Sequence, residues 1–280
     1  MNKGKKKTLA ICIILIITSS MLFGCCINEE NSINKKIESE SVNINIDKEN
    51  ANVLKIGTIE FINSENSKDK NTNDTKTKVT NESNFNIRNI ELMFREYDKE
   101  NKAIAKTEAL CKISLKPDES VYIQAAHKKN AQDIKVTGYS YNLGNKLIYV
   151  DLESKKVNIS NINEKIIRDT KYNILAISKP EIINAVNGEY NSKLTIKNIS
   201  DKDIGSVVLE IAELNDKGEY INIRYLDSYN VIKKSQEVKL DYAQSYNTKS
   251  LEVIGYIYDD IKDKKTVEVN LKLNEVILSK

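Results

Sequence analysis

The chain has 280 residues, 40% hydrophobic and 30% charged, a composition that suits about two folded domains. Its formal charge of +3 comes from Lys3, Lys5, Lys6 and Lys7; without these four lysines the charge is −1, with Lys interspersed among Asp and Glu. A near-neutral remainder without a basic stripe excludes binding that works by neutralising nucleic-acid phosphates.

Taken in chain order, the basic start is followed by an apolar run from Leu9 to Ile17, the pattern of a secretory signal. The run falls short of the roughly 20 residues that span a bilayer. It ends in Leu22-Phe23-Gly24-Cys25, which resembles a bacterial lipobox. The resemblance implies cleavage ahead of Cys25, a diacylglycerol on its thiol and attachment to the outer face of the membrane. Phe23 departs from the pattern, whose residue there is usually smaller. Two acyl chains anchor stably where one is marginal. Residues 1–24 therefore read as a lipoprotein signal peptide, with an uncleaved membrane anchor as the other reading. Cys12 falls inside the signal. Cys111 is expected as a buried free thiol rather than a partner of Cys26.

Residues 25–52 are rich in Asn, Glu, Lys and Ser, with isolated Ile and Val and no sustained period. Such a segment cannot bury enough apolar surface to offset its ordering entropy, so a flexible tether is expected.

From there the chain repeats. Shifted by 117 positions, residues 79–141 align with 196–258 without a gap. Asn81-x-Ser83 falls on Asn198-x-Ser200. Ile87, Ile90, Leu92 and Phe94 fall on Ile204, Val207, Leu209 and Ile211. Val136-x-Gly138-Tyr139-x-Tyr141 falls on Val253-x-Gly255-Tyr256-x-Tyr258. Within each copy the apolar residues alternate with period two, the mark of strands with one face on a core. Asn101 and Gly218, which tolerate positive φ, occupy the same place after the first long strand and predict a hairpin turn. Gly138 and Gly255 inside a strand predict a bulge or a close backbone approach. About seven strands are expected in copy one, near 54–62, 75–81, 88–97, 103–115, 119–125, 134–142 and 147–159. Copy two repeats the series. The expected fold is all-β: two tandem immunoglobulin-like β-sandwich domains, at 53–160 and 171–280, joined by a linker at 161–170.

Val79-Thr80-Asn81, Ile87-x-x-Ile90-x-Leu92 and Tyr97-Asp98 resemble the FxLYD-type domains of bacterial surface lipoproteins. Copy two departs from that pattern at Leu214-Asn215. The resemblance covers about a third of each copy and implies an extracytoplasmic sandwich without chemistry of its own.

Residues that carry chemistry are sparse. His127, the single histidine, lies in Ala125-Ala126-His127-Lys128-Lys129, which reads as a solvated loop, and its counterpart in copy two is Gln244. A Ser or Cys nucleophile and an acid would complete a triad, but no nucleophile elbow accompanies it. Zinc has too few ligands. Asp201, Asp203, Asp259, Asp260 and Asp263 are oxygen ligands of the kind Ca²⁺ takes, but they read as turn-forming acids because no ligand loop surrounds them. No catalytic residue, metal site or cofactor is named. The feature that points outward is aromatic. Tyr220, Tyr225, Tyr229, Tyr242 and Tyr246 stand where copy one has Ala103, Glu108, Lys112, Ala125 and Lys129. Tyr offers large contact area and a hydrogen-bonding tip, so copy two is expected to carry a partner-binding face; favoured use of Tyr on half-buried strands is the alternative.

The expected function is a non-enzymatic interaction or spacer module, anchored to the membrane by lipid on Cys25, with an envelope protein or the cell wall as partner. The alternatives are an envelope enzyme or its accessory subunit, and the substrate-binding lipoprotein of a transporter.

Overall fold

A computed structural model describes residues 47, 49–62, 72–186, 189–228, 230–245 and 247–279. Cys25, Cys26, the signal peptide and nearly all of the tether lie outside the described residues, as do Tyr229 and Tyr246.

The described chain is all-β and sandwich-like. In copy one the strands are β1 (Leu54–Phe61), β2 (Thr72–Asn81), β3 (Ile87–Tyr97), β4 (Ala103–Leu115), β5 (Ser120–Lys128), β6 (Asp133–Leu143), β7 (Lys146–Asp151) and β8 (Lys156–Asn161). The stretch expected as a linker holds β9 (Glu164–Ile167) and the start of a single 3-10 turn at Thr170–Tyr172. Copy two follows with β10 (Leu175–Ile177), β11 (Glu181–Val186), β12 (Glu189–Asn198), β13 (Val207–Leu214) and β14 (Tyr220–Asp227). It ends with β15 (Glu237–Gln244), β16 (Ser250–Asp260), β17 (Lys265–Asn270) and β18 (Glu275–Ser279). The expected strand at 147–159 is two strands, β7 and β8, and the expected strand at 119–125 runs on to Lys128.

The copies use the same pairings. In copy one β1-β2-β5 faces the five-stranded sheet β4-β3-β6-β7-β8. In copy two β12 pairs with β10, β11 and β15, opposite β14-β13-β16-β17-β18-β9. Where β1 is continuous, its equivalent is split into β10 and β11 at Lys179-Pro180, because proline has no N–H to give a ladder. The two halves are not separate beads. β14 of copy two lies parallel to β5 of copy one, with Tyr220 opposite Val121, so a nine-stranded sheet runs from β1 through both copies to β9.

Local choices explain why these residues take these places. Asn101 (φ 58°) and Gly218 (φ 74°) both sit in the left-handed region of the β3–β4 and β13–β14 hairpins. Gly138 and Gly255 each flank a register shift against the neighbouring long strand. A Cβ at Gly138 would stand 2.8 Å from the Val150 carbonyl oxygen, and one at Gly255 would stand 2.9 Å from that of Val269. Close approach excludes a side chain at both.

The tyrosine pairs that follow these glycines pin each copy's lead-in. Tyr139 and Tyr141 lie with ring centroids 6.2 Å apart, Tyr256 and Tyr258 with theirs 6.1 Å apart. All four are buried. The Tyr139 hydroxyl accepts from the Leu54 N–H (3.4 Å) and donates to Asn52 Oδ1 (2.5 Å), while Tyr141 donates to the Ala51 carbonyl (2.9 Å). The Tyr256 hydroxyl accepts from the Ile174 N–H (3.1 Å) and donates to the Tyr172 carbonyl (3.0 Å). Buried phenols need such partners.

Candidate functional site

Two places concentrate polar chemistry. One is a buried cluster inside each copy, and the other is the junction between copies.

In copy one, β5 brings His127 between Thr75 on β2 and Glu96 on β3. His127 Nε2 lies 2.9 Å from Thr75 Oγ1, and Nδ1 lies 3.1 Å from Glu96 Oε1. Thr75 and Glu96 are 0% exposed and His127 1%. His127 is thus a buried strand residue, correcting the solvated-loop expectation: its own turn begins only after Lys128, and its ring packs edge-on against Phe94 at 5.0 Å. Glu96 also accepts from Thr107 Oγ1 and from the Lys128 N–H (3.0 Å). Burial alone would raise the Glu96 pKa. The hydrogen bonds from Thr107, Lys128 and His127 outweigh it and hold the carboxyl below its ordinary range. An ionised Glu96 only accepts, so Nδ1 of His127 carries the proton donated to it.

Acid, imidazole and hydroxyl in line have the connectivity of a hydrolytic triad. Here all three are sealed beneath the sheet, and a scissile bond would have no path to Thr75. Copy two buries the corresponding groups without histidine, and there the Gln244 Nε2 has no hydrogen-bond partner among the described residues. Gln244 takes the His127 position and accepts from Ser192 Oγ, which stands where Thr75 stands. Glu213 takes the Glu96 position and is likewise 0% exposed. It binds Arg224 Nε (2.9 Å), Asn222 Nδ2 (3.3 Å), the Ser245 N–H (3.3 Å) and Thr248 Oγ1 (3.2 Å). Burial raises its pKa, and these bonds more than reverse that. A site that keeps its carboxylate and exchanges its imidazole for an amide is organised around satisfying a buried acid. Identity of Glu96 and Glu213 at the 117-residue shift was the sequence signal for it.

At the junction, Ala212, Tyr220 and Ile254 of copy two belong to the apolar core of copy one, with Leu214 and Ile223 packed against it. Lys272 is buried there. Its Nζ donates to the Ser114 carbonyl (2.8 Å) and to Glu119, and stands 4.2 Å from the centroid of the Tyr220 ring. Burial lowers its pKa, and the Glu119 carboxylate partly restores it. Asn270 Nδ2 donates to Ser114 Oγ (2.6 Å), and Lys78 pairs with Glu219 at 2.5 Å. Arg88, buried, binds the Gly144 carbonyl (3.1 Å) and Glu164 (2.9 Å).

Beside these lies a cavity of about 10 Å³, room for one water, lined among others by Arg88, Lys112, Glu210 and Glu268. Arg88 Nη1, buried, has no hydrogen-bond partner among the described residues. The Glu210 carboxyl is pushed up to about 8 by burial and by the neighbouring Glu268 carboxylate, against the pull of Lys112. Glu268 is raised for the same first reason. Cys111, expected as a buried thiol, is half-buried by area, with its thiol pushed up to about 12 by burial and by Glu210.

The tyrosines singled out in copy two divide. Tyr220 is buried in the junction. Tyr225 is 48% exposed, yet burial and then the Glu210 carboxyl raise the pKa of its hydroxyl. Tyr242 is half-buried on β15 against the core of copy two. The five do not form one surface: Tyr220 is committed to copy one, and Tyr229 and Tyr246 lie outside the described residues. Of the acids considered for calcium, Asp203, Asp259 and Asp260 are engaged locally. Asp260 pairs with Lys202 and accepts from the Lys262 and Asp263 N–H groups, and Asp203 accepts from the Lys234 N–H.

No protein-family model matches the chain, and no curated protein matches it. Among solved structures it is similar to an exo-chitosanase, CsxA, of Amycolatopsis orientalis, with 10% identity over 70% of this chain and 25% of that one, at a TM-score of 0.22. It is also similar to red sea bream transglutaminase, with 9% identity over 77% of this chain and 28% of that one, at a TM-score of 0.20. The chain spans about a quarter of each, and likenesses of this size carry no functional argument.

Proposed function

We propose that this chain is an extracytoplasmic lipoprotein, held to the outer face of the membrane by diacylglycerol on Cys25. Its two β copies act there as a non-enzymatic spacer or interaction module with an envelope protein or wall component as partner. The anchor rests on Leu22-Phe23-Gly24-Cys25 behind a basic and apolar leader. The observation that carries the spacer reading is the junction. A sheet continuous through β5 and β14, a buried Lys272 and a shared apolar core make the two copies one stiff body, which suits holding a surface at a set distance. The resemblance to FxLYD-type domains points the same way. The rival reading, an envelope enzyme, draws only on Thr75, His127 and Glu96, and their burial weighs against it.

Metabolic labelling with a clickable fatty acid tests the anchor. Wild type is expected to take label and to stay with membranes, and Cys25→Ser to lose both. Label that persists in the variant moves the lipid to Cys26, and absence of label in both overturns the lipoprotein reading.

A further inference from the structure

Among the described residues β15 has a neighbour on one side only. It pairs with β12 through eight consecutive positions, from Tyr190↔Gln244 to Lys197↔Glu237, without a register shift. Among the described residues no strand lies along its other edge. Its counterpart β5 pairs along its length with β2 and is met on its other side by β14, with Tyr220 opposite Val121. The difference shows in the core: Val121, Ile123 and Ala125 are buried, whereas Val238, Leu240 and Tyr242 at the same positions are half-buried.

Open edges are ordinarily blunted by proline, a bulge or charged side chains. β15 has neither proline nor bulge, and its edge charges, Glu237, Lys239 and Asp241, alternate in sign, so each can meet an opposite charge. Its outer face reads Glu237, Lys239, Asp241, Ala243, all exposed. The Gln236 carbonyl accepts from the Asn198 N–H (3.0 Å), so Gln236 turns its carbonyl toward β12. By strand alternation, residues 237, 239, 241 and 243 turn theirs to the open edge.

An antiparallel partner identical to β15 must match these outward residues with one another. Centred on Lys239, the pairing opposes Lys239 to itself and Glu237 to Asp241. Centred on Asp241, it opposes Asp241 to itself. Centred on Leu240, it opposes Lys239 to Asp241 twice, by symmetry, and completes the cover over Val238, Leu240 and Tyr242. We propose that two copies of this chain associate through β15, antiparallel about Leu240, in a closed two-fold dimer.

A different mode would imitate the internal junction, with β4 of another molecule taking the place of β14. The surface needed is missing. Ala212, Leu214, Tyr220, Ile223 and Ile254 are replaced in copy one by Arg95, Tyr97, Ala103, Lys106 and Thr137. In addition, Lys128 Nζ already holds the Ile104 carbonyl on β4 (3.0 Å).

Sedimentation velocity of the full chain in mild detergent, over a concentration series, tests the dimer. A reversible monomer–dimer equilibrium is expected. Lys239→Asp and Asp241→Lys are each expected to weaken it at least about tenfold, since like charges then meet at both pairs. An equimolar mixture of the two variants restores it, because Asp again faces Lys at both pairs. Far-UV circular dichroism should be unchanged, since both side chains are exposed. A chain that stays monomeric, a ladder of open-ended oligomers, or a dimer indifferent to both substitutions overturns the proposal.

Discussion

Asn81 and Asn198, 117 residues apart and both fully buried, make the same four hydrogen bonds. Asn81 donates to the carbonyls of Phe85 (2.7 Å) and Leu115 (3.1 Å), and its Oδ1 accepts from the N–H (3.0 Å) and hydroxyl (2.6 Å) of Ser83. Asn198 donates to Lys202 (2.8 Å) and Ile232 (3.0 Å) and accepts from Ser200 N–H (3.0 Å) and hydroxyl (2.7 Å). Asn81 ties the end of β2 to the turn before β3 and to the end of β4, and Asn198 ties the end of β12 to the turn before β13 and to Ile232 ahead of β15. The Asn-x-Ser repeat in the sequence is therefore an architectural knot, which is why it survives in both copies while surface positions diverge.

Removing either knot strands buried carbonyls and an N–H. Asn81→Ala and Asn198→Ala are each expected to cost about 3 kcal/mol, from two lost side-chain donors and the groups left unpaired. Urea denaturation measures it. A cost under about 0.5 kcal/mol, within the usual range of surface substitutions, would show that the network is dispensable.

The junction acid sets a pH dependence of definite sign. Glu210 has a folded-state pKa near 8 against an ordinary 4.5, so between those values the unfolded chain has released a proton that the folded chain retains. Stability contributed by this group therefore falls as pH rises through that window, by up to about 1.4 kcal/mol per pH unit, and levels off above pH 8. Glu210→Gln is expected to flatten the fall between pH 5 and 8 and to raise Tm most near the alkaline end. Thermal melts of both proteins across that range check it; parallel curves would remove Glu210 as the cause. Glu96 and Glu213, whose pKa values are lowered, act in the opposite sense and lose their contribution only as pH falls below the ordinary carboxyl range.

If the His127 cluster is a plug and not a catalyst, it should accept the solution copy two uses. His127→Gln is expected to cost about 1–2 kcal/mol, since the amide oxygen can meet Thr75 as that of Gln244 meets Ser192, while the Nε2 of Gln244 has no hydrogen-bond partner among the described residues. Glu96→Ala is expected to cost about 2–4 kcal/mol, because it strands His127, Thr107 and the Lys128 N–H together. Equilibrium unfolding of both variants separates the cases. A larger cost for His127→Gln than for Glu96→Ala would reverse this account of which group organises the cluster.

Much of the fold was legible in the chain itself. Period-two alternation located the strands, because a half-buried sheet sorts residues by side. The residues shared between copies marked turns, knots and close approaches: Asn101 with Gly218 at positive φ, Gly138 with Gly255 at bulges, Tyr139 with Tyr256 beneath the lead-in. The turns and close approaches are local demands, met within a few residues or one strand neighbour, whereas the tyrosines and the asparagine knots reach partners far along the chain. The ends of elements were less legible. Ala125-Ala126-His127-Lys128-Lys129 has loop composition, and as far as Lys128 it is strand only because β2 and Glu96 wait beside it.

The amino-acid order alone thus determined a duplicated all-β chain, with most of its strands and its turns. What it could not settle is which edges meet. Nothing in Tyr220 announces that it lies against Val121, about 100 residues earlier, or that Lys272 stacks on it. Glu210 looks like any strand carboxylate until copy one closes over it and removes its water. The open edge of β15 is visible only by comparison with a covered β5. Those outcomes depend on pairing between distant strands, which local pattern does not encode and which the packing of two sheets decides.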